Sequence, residues 1–192
     1  MYKEAADLLS LMDLDPATSY PMAFYALGWI ASLSGDDEKA LHNFILAEQC
    51  RPDYCFPNKI EEVLMLEKAM EVNPDGSKAP YYIGNFLYNA RIYDKAIGYW
   101  EKSAEIDESF PTVLRNLSLA YYNKRNDSKK AVKMLEKSKE KGVDTVISTS
   151  HAYIRTQEDL NVFLNRRKKY KAILEEGIKG HDVPKIIYGA EV

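Results

Sequence analysis

The stretch that decides the fold is SKAPYYIGNFLYNARIYDKAIGYWEKSAEIDESFPTVLRNLSLAYYNK, residues 77–124. Numbered from Ser77, it places Ile83 and Gly84 at positions 7 and 8, Leu87 at 11, Ala96 at 20, Trp100 at 24 and Ser103 at 27. Numbered again from Pro111, it places Leu114 at 4, Leu117 and Ser118 at 7 and 8, and Tyr121 at 11. One inserted residue in NKRNDSKK, 123–130, then brings Ala131, Leu135 and Ser138 into the roles of 20, 24 and 27. Working outward toward the N-terminus, a third copy starts at Pro21, with Phe24, Leu27, Gly28, Ala31, Ala40, Phe44, Ala47 and Pro52 in the same places.

Physical reasons account for this choice of residues. Apolar side chains at three- and four-residue spacing mark amphipathic helices. Small residues fall in pairs where two helices must approach closely: Gly28 with Ala40, Gly84 with Ala96, Ser118 with Ala131. A bulky group four residues further on (Phe44, Trp100, Leu135) fills the space beside each pair. The intervening turns, SGDD at 34–37, RIYD at 91–94 and RNDS at 125–128, supply Asp or Ser to cap the second helix.

On these residues the sequence resembles the tetratricopeptide repeat family, whose unit is a helix–turn–helix of about 34 residues. The resemblance implies an all-α, right-handed solenoid of antiparallel helix pairs, about nine to ten helices in one domain over 1–192. Its units are expected at 21–54, 77–110 and 111–145. A half unit is expected at 3–16, a degenerate pair at 145–177 and a tail at 178–192. The block 51–124 also resembles the repeat portion of large bacterial proteins that carry a β-rich domain of unassigned role upstream.

The array is irregular. Between the first two units lie 22 extra residues, CFPNKIEEVLMLEKAMEVNPDG, which predict one further helix at 59–72 capped by Asn58 and Glu61. Both ends read as unfinished, which suggests a piece of a longer protein and allows self-association through exposed ends.

Composition narrows the function classes. The chain is 46% hydrophobic and 29% charged, and no run approaches the roughly 18 apolar residues of a membrane span. Cys50 and Cys55 are too few for a zinc site; they read as two thiols in a reducing compartment, hence a cytoplasmic protein, with a small-loop disulfide between them as the alternative. His42, His151 and His181 fall on different elements without a catalytic partner, so neither an enzyme nor a cofactor or metal site is expected. The run RRKKYK, 166–171, reads as a solvated helix face in a net acidic chain, and no nucleic-acid partner is expected. The net charge of −3 is unevenly spread: residues 1–110 hold 9 Lys+Arg against 19 Asp+Glu, and residues 111–192 hold 17 against 10.

The resemblance implies that first helices line a concave groove. The side chains it assigns there include Tyr81, Asn85, Tyr88, Arg115, Asn116 and Tyr122, a set both aromatic and amide-rich. Tyrosine offers wide contact area at little rotamer cost, and asparagine can bond an extended peptide backbone. Asn85 and Asn116 resemble the asparagines of the carboxylate clamp in co-chaperone repeats, but Tyr81 stands where the clamp has lysine. The same side chains could instead serve packing and hydrogen bonding between helices, and both roles are open at this point. The expected function is a protein- or peptide-binding scaffold; the alternative is a spacer or oligomerisation module that positions neighbouring domains.

Overall fold

The computed structural model describes residues 2–151 and 156–191. The chain divides into two compact units, Met1–Glu108 and Ser109–Val192, where the repeat pattern alone suggests one domain. The division falls where the charge changes sign, so the first unit carries the acidic excess and the second the basic one.

The first unit contains α1 (Tyr2–Ser10), α2 (Pro21–Leu33), α3 (Asp37–Gln49), α4 (Ile60–Val72), α5 (Lys78–Asn89) and α6 (Tyr93–Ile106). Helices α2 and α3 form one hairpin and α5 and α6 another. The predicted seam closes each hairpin. A Cβ added to Gly28 would lie 2.5 Å from Cε1 of Phe44, and one on Gly84 would lie 2.4 Å from Cδ1 of Trp100. Ala40, Phe44, Ala96 and Trp100 are all buried. These are tetratricopeptide-like hairpins in which a missing side chain makes room for an aromatic ring.

The turn of each hairpin repeats one backbone device, a residue at positive φ before the second helix. Gly35 takes φ 75°, Arg91 takes 63° and, in the second unit, Asn126 takes 53°. Glycine and asparagine suit this left-handed region, whereas arginine does not. Asp36 and Asp127 then cap, accepting from the amides of Lys39 and Lys130 at 3.0 Å. The middle turn has Ile92 in that place, with no side-chain cap.

The extra helix α4 begins one residue later than predicted and packs on α2, α3 and α5, burying Leu66 and Ala69. Its cap also differs from expectation: Glu62, not Glu61, accepts from the amides of Asn58 and Lys59 at 2.7 and 3.0 Å. With the helix starting at Ile60, Glu62 is the third helical residue and the one whose carboxylate reaches back.

Two charged residues join the hairpins despite the inserted helix. The Glu48 carboxylate, near the end of α3, accepts from the Lys78 amide at 3.0 and 3.2 Å and from the Tyr25 hydroxyl at 3.0 Å. The Lys78 ammonium, at the start of α5, donates to the carbonyls of Glu48 and Cys50. An anion thus meets the positive end of α5 while a cation meets the negative end of α3, and each satisfies groups that a helix end leaves unpaired. Burial pushes the Glu48 carboxyl above its ordinary range, and burial pushes the Lys78 ammonium below its own.

The second unit contains α7 (Pro111–Ala120), α8 (Ser128–Glu140), β1 (Thr145–His151), α9 (Gln157–Gly177) and β2 (Lys185–Glu191). Its hairpin, α7 with α8, absorbs the inserted residue as a π-helical turn over Tyr121–Arg125. There the Asp127 amide donates to the Tyr121 carbonyl at 3.0 Å. A single insertion in a helix is commonly accommodated in this way.

Beyond the hairpin the expectation of a degenerate helix pair over 145–177 gives way to a βαβ arrangement. Strands β1 and β2 pair in parallel, Thr145 with Lys185 through His151 with Glu191, and α9 connects them. The β-branched run Thr145-Val146-Ile147 favours a strand once Gly142, at φ 101°, has ended the preceding helix. The tail predicted over 178–192 supplies the second strand, while residues 1, 152–155 and 192 lie outside the described part of the chain. Arg167 in α9 donates to the Tyr188 carbonyl at 2.8 Å, and Lys171 lies 5.1 Å from the Tyr188 ring. Part of the basic run therefore holds β2 against the helix. His181 and Glu136, 2.7 Å apart, tie the approach to β2 back onto α8.

Candidate interaction surfaces

The side chains expected on a groove divide between the units. Tyr81, Asn85 and Tyr88 lie on α5; Arg115 and Asn116 lie on α7, and Tyr122 on the π turn that follows it.

Trp100 organises the α5 group. Its position is set by Gly84, and its indole N–H donates both to the Tyr81 carbonyl at 3.2 Å and to Asn85 Oδ1 at 3.1 Å. The indole ring also meets the ring of Tyr88, centroids 5.0 Å apart, and Tyr88 in turn meets Tyr93 edge-on at 5.0 Å. Asn85 and Tyr88 stay half-buried. The row is thus rigid, with the amide orientation of Asn85 fixed by a buried donor. Tyr81 is only 6% exposed and packs on Tyr82, whose ring meets Tyr25 edge-on at 6.0 Å. Its carbonyl, not its ring, meets the Trp100 indole.

In the second unit Arg115, Asn116 and Tyr122 are each half-buried. Tyr122 lies 6.1 Å from Tyr170 of α9, edge to face, and borders an apolar cavity between the hairpin and the βαβ layer. That cavity has a volume of about 180 Å³. Nothing local in the sequence announces it, because the strands and helix that complete it are distant in sequence from α7.

A second feature missed in the sequence is the junction before α4. Cys50 and Cys55 are free, buried thiols, and burial pushes the Cys55 thiol up to about 11 and the neighbouring Tyr20 phenol up to about 12. With the thiols turned inward, the alternate residues are forced out: Tyr54 is 89% exposed and Phe56 66%. Tyr54 also holds φ 61°, a conformation unfavourable for a bulky side chain. Ile60 and Leu64, one turn apart at the start of α4, continue the exposed apolar row at 70% and 48%. The aromatic residues flanking Cys55 were the available signal.

Among the described residues no three His, Cys, Asp or Glu side chains converge as a metal site would require. No described helix is long and apolar enough to cross a membrane.

No protein-family model matches the chain. Among solved structures it is similar to YrrB, described as a TPR protein with an unusual peptide-binding site. The identity is 22% and the TM-score 0.40, over 75% of this chain and 62% of that one. It is similar also to MamA, at 22% identity and TM-score 0.40, over 73% of this chain and 63% of the other. A MamA fragment from Desulfovibrio magneticus RS-1 matches at 18% identity and TM-score 0.38, over 72% and 84%. The match spans less than two thirds of the length of YrrB and of the first MamA structure. Through its own hairpins, with the small-residue seam at Gly28, Gly84 and Ser118 and the positive-φ turn at Gly35, Arg91 and Asn126, the chain has a tetratricopeptide-like all-α fold.

Proposed function

We propose that the chain is a protein-binding scaffold that takes an extended peptide on the first helices of its hairpins. In the first unit the contact residues are Asn85 and Tyr88 on α5; the second unit, taken by itself, offers Arg115, Asn116 and Tyr122. The observation that carries the proposal is the bracing of Asn85 and Tyr88 by Trp100. Side chains locked before a ligand arrives lose little entropy on binding, and Tyr and Arg are the residues that most often dominate interfaces. Within this reading Tyr81 is a support, not a contact. Titration of wild type and an Asn85→Ala/Asn116→Ala double variant against a peptide library tests it. The expected result is at least a tenfold loss of affinity in the variant for the peptides that wild type selects; equal affinity would remove these helices as the site.

A second reading, self-association, is favoured by exposed Leu8, Leu11 and Met12 near the N-terminus, at 67%, 83% and 56%. Opposite charge on the two units would draw copies together and be screened over about 8 Å at physiological salt. Light scattering across a salt series checks it: a mass independent of protein concentration and of salt, and equal to one chain, would exclude it.

A further inference from the structure

We infer that the cavity of the second unit is a binding site for one uncharged planar aromatic group, of benzene to indole size. The cavity shares Tyr122 with the peptide contacts proposed above, and its occupancy does not require a peptide there.

The cavity arises from a departure in the repeat. In the first two hairpins an aromatic ring, Phe44 or Trp100, lies on a glycine and fills the space between the helices. In the third the equivalent residues are Ser118 and Leu135, both buried and both lining the cavity. An aliphatic side chain stands where the other hairpins place a ring, and the small side chain of Ser118 does not make up the difference. The βαβ layer closes the space without filling it. Ile173, Ile178 and Ile186 line the far side, leaving about 180 Å³ partly open to solvent.

The chemistry of the walls selects the occupant. No charged side chain among the described residues lines the cavity, so an ionised ligand would lose its hydration without a partner. Cavities of about 150 Å³ lined by aliphatic and aromatic side chains stay dry and accept benzene. Tyr122 and Tyr170 form part of the wall with their rings at 73° to one another, an arrangement in which a third ring can be met by an edge and by a face. The shape therefore suits what the third hairpin lacks, supplied from outside. A free aromatic molecule and an aromatic side chain of a partner share this chemistry.

The test uses the full chain with two probes, indole and N-acetyltryptophanamide. Methyl resonances of Val132, Leu135 and Leu174 are followed on titration into wild type, and affinities are measured by calorimetry for wild type and for Ser118→Gly/Leu135→Trp. That variant recreates the glycine–tryptophan pairing of the second hairpin. The expected result is saturable shifts of all three residues in wild type and at least a tenfold weaker affinity in the variant. Binding of indole alone assigns the site to a free molecule, and binding of both probes to a partner's side chain as well. Absence of methyl shifts in wild type with either probe would overturn the inference, whether or not the variant folds. Equal affinity of wild type and a folded variant would do the same.

Discussion

Replacing Gly84 by alanine is the sharpest perturbation of the hairpin seam. The new Cβ would sit 2.4 Å from both Cδ1 and Nε1 of Trp100, whereas carbon atoms in contact prefer about 3.5–4.0 Å. The indole must therefore retreat by about 1 Å. Its bonds to the Tyr81 carbonyl and Asn85 Oδ1 start at 3.2 and 3.1 Å, and such a shift breaks them. Leaving a buried donor unsatisfied costs about 1–3 kcal/mol, and overpacking costs about the same again. Alanine returns about 1 kcal/mol as the better helix former. The expected net loss is about 1–5 kcal/mol, read from urea denaturation followed by circular dichroism. Gly98 is the control, since a Cβ there meets nothing within 4 Å on an exposed face of α6. The same substitution at Gly98 should stabilise by about 0.5–1 kcal/mol. Adding Trp100→Leu to Gly84→Ala should cost less than the two single changes summed, because the third hairpin already pairs a small residue with leucine. Unchanged or increased stability in Gly84→Ala would refute the reasoning.

Four further outcomes are expected. Arg91→Gly relieves a left-handed residue and should raise stability by about 1 kcal/mol, and Ile92→Asp should add a similar amount by capping α6; thermal denaturation of each single variant checks both. Glu48→Ala leaves the Lys78 amide and the Tyr25 hydroxyl without their acceptor and α5 without its anion, and should cost about 3 kcal/mol. Because burial raises the Glu48 pKa in the folded state above the ordinary carboxyl value of 4.5, the folded protein keeps a proton that the unfolded chain has released. The stability of wild type relative to Glu48→Gln should therefore fall as pH rises above 4.5, until the folded-state carboxyl has ionised. Denaturant titrations at a series of pH values follow this, and a flat difference would contradict it.

Much of the fold was legible because its signals are local. Gly28, Gly84 and Ser118 recur at fixed distances from Ala40, Ala96 and Ala131, and the helix at 59–72 carries its own apolar periodicity. Even the inserted residue before Ala131 could be read, although not that a π turn would absorb it. The features that escaped are non-local. Glu48 and Lys78 meet across the whole of α4, and nothing near either residue announces the other. The pairing of β1 with β2 requires the crossover through α9, and Val146 and Ile147 alone do not distinguish a strand from a short buried helix. On α5 the sequence suggested both roles weighed for its polar row. Trp100 shows how they coexist: Asn85 and Tyr88 bond and pack between helices while remaining half-buried at the surface.

The central claim is that a partner peptide is held by the first helices of the hairpins. Chemical-shift mapping of the labelled chain with a selected peptide tests it most directly. The largest perturbations should fall on Asn85 and Tyr88 in the first unit or on Arg115 and Asn116 in the second. Perturbations confined to the second helices α3, α6 and α8, or to the exposed row from Tyr54 to Leu64, would contradict it.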